Sequence, residues 1–145
     1  MRKTLIMAMI LAFSGAAAAA EVGLVKVANG DVQIERAGAK LPARVGMGLI
    51  TSDVIVTGAN GSAGITFTDN SLVSVGPGSV FAIDKYSFDT TTHAGEFQGS
   101  LKQGRLAAVS GKMVKQSPES MKIRTPSSIM GVRGTEFLVQ VDAKP

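Results

Sequence analysis

The sequence contains no cysteine, no tryptophan, a single histidine and a single tyrosine among 145 residues. Without cysteine there is no disulfide framework, thiol nucleophile, thiolate-held zinc or lipidated bacterial N-terminus. One histidine cannot build a histidine-rich metal site. Aromatic residues are 5% of the chain and charged residues 18%, so stacking platforms and long charge runs are scarce too. The length argues against a two-domain enzyme.

What is present begins with a distinct first segment. Arg2 and Lys3 precede an apolar run from Leu5 to Phe13, and Ala16–Ala20 offers a small-residue cleavage site before Glu21. This is the layout of a secretory signal peptide. A membrane span needs roughly 20 apolar residues, and Leu5–Ala20 covers only 16 positions. The expected organisation is a signal peptide over residues 1–20 and one β domain over residues 21–145, with no membrane span after cleavage. Loss of Arg2 and Lys3 lowers the formal charge from +4 to +2.

From Val22 onward the pattern is short and β-like. In Asp31-Val32-Gln33-Ile34-Glu35-Arg36 apolar and polar residues alternate, the mark of a half-buried strand. Asn29-Gly30 favours a tight turn before it. A repeat follows: Ser52-Asp53-Val54, Gly61-Ser62-Ala63, Asn70-Ser71-Leu72 and Gly78-Ser79-Val80 start 9, 9 and 8 residues apart. Each sets a turn residue, a small polar residue and an apolar one in order, and each leads into a short apolar run. Strands between turn signals at this spacing predict an all-β fold with little helix, as a β-solenoid-like or a sandwich-like stack. Asp89–His93 reads as a polar loop and Gly111–Pro118 as a basic one. Strand-like runs return at Gly95–Leu101, Arg105–Ser110, Met121–Thr125, Ile129–Val132 and Glu136–Val141.

No catalytic constellation emerges. His93, in a polar loop, reads as an exposed residue without a positioned partner. Asp53 and Asp69 sit at turns, where aspartate commonly bonds its own backbone; a two-carboxylate glycan hydrolase would have to draw on such residues. No phosphate-binding loop or nucleophile elbow is found. The expectation is a protein that is not an enzyme and needs no metal or cofactor.

Charge is unevenly spread: residues 21–101 sum to −3 and residues 102–145 to +5. Lys102, Arg105, Lys112, Lys115, Lys122 and Arg124 form a candidate basic surface for an acidic partner such as an anionic glycan. The aromatics do not interleave with these cations, which argues against nucleic acid.

The last segment carries a family resemblance. Thr125-Pro126-Ser127-Ser128-Ile129-Met130-Gly131-Val132-Arg133-Gly134-Thr135-Glu136-Phe137 resembles the closing signature of the FecR domain family. Val45-Gly46 with Leu49, Asp53–Gly58, Phe67–Ser71, Pro77-Gly78-Ser79, Gly104 and Met121–Arg124 fall in the family's order. Asn70 and the glycine-rich Gly76–Ser79 depart from its usual pattern. The resemblance implies a β-solenoid-like periplasmic sensing domain of the kind carried by inner-membrane regulators of siderophore uptake. This chain is expected to be a free-standing exported version without their anti-sigma and membrane segments, periplasmic or secreted, binding an envelope protein. Thr125, Pro126, Gly131, Arg133, Gly134, Thr135 and Phe137 are its signature residues, with structural roles expected. Gly131 and Gly134 are expected to supply unusual backbone angles or close packing.

Overall fold

The computed structural model describes residues 20–132 and 136–142. Twelve strands and one short helix follow one another: β1 (Gly23–Asn29), β2 (Val32–Arg36), β3 (Ala39–Pro42), β4 (Gly48–Leu49), β5 (Val54–Thr57), β6 (Ser62–Phe67), β7 (Leu72–Val75), β8 (Val80–Phe88), β9 (Gly95–Val109), α1 (Lys112–Gln116), β10 (Met121–Arg124), β11 (Ile129–Gly131) and β12 (Glu136–Val141). The all-β expectation with little helix is what the chain adopts.

The form left open by the sequence is one curled sheet folded back on itself. Its first half runs β12-β9-β7-β6-β1-β4 and its second half β11-β10-β9-β8-β5-β2-β3. Strand β9 belongs to both. Its start pairs with β8 and β10, and its end with β7 and β12. All these pairings are antiparallel except β9 with β10. The two expected runs at Gly95–Leu101 and Arg105–Ser110 are therefore one long strand. It bends at Gly104, whose φ is +96°.

The repeat has a concrete meaning. Each of its turn triplets stands at the start of a strand (β5, β6, β7 and β8), and the chain changes half-sheet between β5 and β6 and again between β7 and β8. These crossings stack. Gly58 N–H donates to Asp31 O at 2.9 Å, and Gly78 N–H donates to Gly58 O at 3.0 Å. At Gly61 a Cβ would stand 2.0 Å from Asp31 O, so only glycine lets the corners approach this closely. Asn29-Gly30 is also such a crossing. It is not a hairpin, because β1 pairs with β4 and β6 while β2 pairs with β3 and β5.

Alternating inward residues of both halves fill one core. Ile34, Leu49, Ile55, Phe81, Ile83, Leu101, Leu106 and Ile123 are fully buried. Phe67, Tyr86 and Phe97 meet at one end of it with centroids 4.7–5.5 Å apart, mostly edge to face, the arrangement ring quadrupoles favour. Helix α1, in the segment expected as a basic loop, plugs the same end. Met113 and Val114 enter the core while Lys112 and Lys115 stay in solvent. Residues before Asp53 are integral to this architecture, since β1 and β2 pair directly with β6 and β5.

Candidate interaction faces and the polar corners

The carboxylates weighed for catalysis are committed to the fold. Asp53 is fully buried and receives Arg36 Nε at 2.9 Å, Arg36 Nη2 at 2.7 Å and Ile50 N–H at 2.9 Å. Arg36 also donates to Gly48 O at 3.0 Å. The fork matches the carboxylate in a bidentate pair and holds the guanidinium charge above its ordinary pKa, chiefly through the hydrogen bond to Asp53. This pair ties β2 to the start of β5.

Asp69 closes the β6–β7 corner. It accepts Ser71 N–H at 3.0 Å and Ser71 Oγ–H at 2.7 Å, and its carboxylate lies 3.3 Å from the Tyr86 hydroxyl. The backbone joins in: Gly111 N–H donates to Ser71 Oγ at 3.0 Å and Lys112 N–H to Asp69 O at 2.8 Å. A third corner centres on Ser79, also fully buried. Its N–H donates to Thr57 Oγ1 at 2.9 Å, and its Oγ accepts Arg105 N–H at 3.0 Å. At Asp53, Ser71 and Ser79 the small polar residue of the repeat thus answers backbone groups that a corner leaves without ladder partners. Among the described residues, no buried side-chain nitrogen or oxygen lacks a partner.

Burial pushes the Tyr86 phenol up to about 12. A phenol titrating above its unfolded value of about 10 stabilises the fold fully below that pH, and this contribution disappears as pH rises through 12. Tyr86 is the only tyrosine and there is no tryptophan, so the phenolate absorbance reports this group alone. We expect a midpoint near 12 in the folded protein, falling toward 10 in urea. A folded midpoint near 10 would contradict the burial.

The expected basic surface divides among three places. Lys102, Lys122 and Arg124 are exposed on the outer side of the second half-sheet, where Lys122 pairs with Gln98 and Arg124 with Ser100. Asp84 lies among them and accepts a hydrogen bond from Ser100 Oγ. Arg105 lies on the outer side of the first half-sheet, and Lys112 and Lys115 on α1. The six cations therefore do not form one patch.

The outer side of the first half-sheet is apolar instead, a feature the sequence reading missed. One cross-strand row runs Val27–Gly64–Ser74–Ala107–Leu138 through β1, β6, β7, β9 and β12. Small residues in the middle and larger ones at both ends make a trough of about 350 Å³. The adjacent row adds Leu72 and Val109. Of the six large apolar residues exposed among the described residues, four (Val27, Leu72, Val109 and Leu138) lie on this face, and Leu138 is 76% exposed. Period-two alternation encodes which residues share a face, but the row becomes visible only once the strand order is known.

The signature segment is a hairpin followed by an edge strand. Thr125 N–H donates to Ser128 O at 2.8 Å, and Ser128 N–H donates to Thr125 Oγ1 at 3.1 Å. Pro126 occupies the turn position its fixed φ suits. Val132 is fully buried, and Phe137 packs partly against the core. Gly131 departs from expectation: its φ is not positive and a Cβ there would meet open space. Gly131→Ala should therefore change stability by no more than about 0.5 kcal/mol, read by thermal melting. Arg133, Gly134 and Thr135 lie outside the described residues. His93 is partly buried rather than exposed, because its ring stacks on Phe88 at 5.9 Å in the β8–β9 turn.

Among the described residues no helix is long and apolar enough to cross a membrane, and no group of three or more acidic or histidine side chains is placed to hold a metal. No curated protein and no solved structure matches the chain. The family model described as FecR protein matches residues 53–145. That span begins at the buried Asp53 corner and takes in the Asp69 and Ser79 corners, the Gly104 bend and the signature hairpin. By this match over most of its length, the chain belongs to the FecR protein family.

Proposed function

We propose that this protein is an exported, non-catalytic protein-binding module of the bacterial cell envelope, resembling the periplasmic sensing domain of FecR-type regulators and directed out of the cytoplasm by a cleaved signal segment, residues 1–20. Family membership supports a periplasmic sensing role. The observation that carries the binding role is the apolar outer side of the first half-sheet, with Leu138 and Val27 flanking the trough. Five strands about 4.8 Å apart and five residues of about 3.4 Å each give this face roughly 400 Å² of flat area. Within that area Val27, Leu72, Ala107, Val109 and Leu138 form an apolar cluster rimmed by Ser62, Arg105 and Glu136, and such polar-rimmed apolar patches mark interaction sites on soluble proteins.

The experiment places a photo-crosslinking residue at Ser74, in the centre of the trough, and at Ser87, on an exposed stretch of β8, in cells producing the protein. Adducts with one envelope protein from position 74 and none from position 87 are expected. Equal adducts from both, or none from position 74, would refute this docking face. The purified envelope form should begin at Glu21 by N-terminal sequencing, and retention of residues 1–20 would refute the export step.

A further inference from the structure

We propose that the β12 edge joins two copies of this chain in an antiparallel, two-fold dimer centred on Leu138. Sheet edges present unpaired N–H and C=O groups, and proteins blunt them with short strands, proline, lysine, bulges or charge. Nearly every edge here is blunted in one of these ways. Strand β4 has two residues and β11 three. Strand β3 carries Lys40 and Pro42. The rest of the β1 edge is bulged at Lys26, and the end of β8 is bulged beside Asp84 and Lys85. Strand β12 has none of these devices beyond the single charge of Glu136 at its start. It runs six residues in unbroken register with β9, reads Glu-Phe-Leu-Val-Gln-Val, and pairs with no other strand among the described residues.

The second copy is the occupant because the strand complements itself in one register. A continuous sheet requires opposed residues to share a face, which limits a two-fold pairing to axes through a residue pair. Centred on Leu138, the pairing sets Leu138 against Leu138, Phe137 against Val139, and Glu136 against Gln140. Centred on Val139, it sets Glu136 against Asp142, and like charges directly opposed are unfavourable. Centred on Phe137, it sets Leu138 against Glu136 and leaves Gln140 and Val141 without strand partners from β12. The Leu138 register alone gives the 76% exposed leucine an apolar partner and opposes no like charges. It also continues the row Val27–Gly64–Ser74–Ala107–Leu138 into the mirror-ordered row of the second copy. Because the other edges are blunted, association closes at two copies and does not propagate into fibres.

The chain from Glu21 onward, analysed by sedimentation equilibrium from micromolar to near-millimolar concentration, should show a monomer–dimer equilibrium. Leu138→Lys should weaken it at least tenfold with an unchanged circular dichroism spectrum, because that side chain projects into solvent. Gln140→Glu should weaken it as well by opposing Glu136, and adding Glu136→Lys should restore it. Since the protein has no cysteine, Leu138→Cys under oxidation should give a covalent dimer through the introduced thiols. A strictly monomeric protein throughout, or a dimer indifferent to both Leu138→Lys and Gln140→Glu, would overturn the proposal. A monomer whose β12 instead takes up an added extended peptide would overturn it in favour of a foreign strand.

Discussion

Replacing Gly104 by alanine is expected to lower stability by about 3–5 kcal/mol, combining a strained left-handed backbone with overpacking. Two independent observations set this size. The residue holds φ +96°, which L side chains rarely adopt, and a Cβ would stand 2.0 Å from Ser79 Oγ. Ser79 cannot withdraw, because its N–H and hydroxyl secure the crossing to Thr57 and Arg105. The loss would be a large part of the 5–15 kcal/mol that holds a typical domain folded. Urea denaturation followed by circular dichroism checks it. A loss below 1 kcal/mol would show that β9 bends without requiring glycine.

The second large effect concerns Arg36 and Asp53, and it is asymmetric. Arg36→Met leaves a carboxylate fully buried with only Ile50 N–H as donor, which is expected to cost about 3–4 kcal/mol. Asp53→Asn keeps an acceptor in place and frees a guanidinium that is already 32% exposed. Water then solvates the cation, and the expected cost is about 2 kcal/mol. The double variant Arg36→Met with Asp53→Asn should cost less than the sum of the two, since no buried charge is stranded. A double-mutant cycle measured by urea melts decides it. Additivity within about 0.5 kcal/mol would mean that the pair contributes no coupling.

These two sites show where the fold is legible in sequence and where it is not. The spacing of Ser52-Asp53, Gly61-Ser62, Asn70-Ser71 and Gly78-Ser79 marks the strand starts, and at Asp53, Ser71 and Ser79 the small polar side chain satisfies a corner's backbone. Alternation in Val32 and Ile34 marks an inward face. Pairing over distance leaves no such trace. Nothing near Arg36 indicates that its partner is Asp53, or that Asn29-Gly30 crosses between half-sheets instead of folding a hairpin. Local turn chemistry is the same in both cases, and only the strand order separates them. The distribution of the basic residues is hidden for a related reason. Lys102 and Arg105 lie three residues apart, but the bend between them at Gly104 sends them to different faces. Of the signature, Thr125, Pro126 and Phe137 have visible structural work, whereas Gly131 has none that its neighbours explain.

The shared strand also fixes an order of events. Until β9 emerges, the chain can form two half-sheets, β4-β1-β6-β7 and β3-β2-β5-β8, with no strand between them. Residues 95–109 supply the strand that joins β7 to β8, and they arrive late in a chain made from its N-terminus. The two halves are therefore joined into one sheet only once residues 95–109 have docked. Once β9 docks, both halves share one strand, and unfolding should proceed as a single cooperative transition with the slowest amide exchange near Leu101 and Leu106.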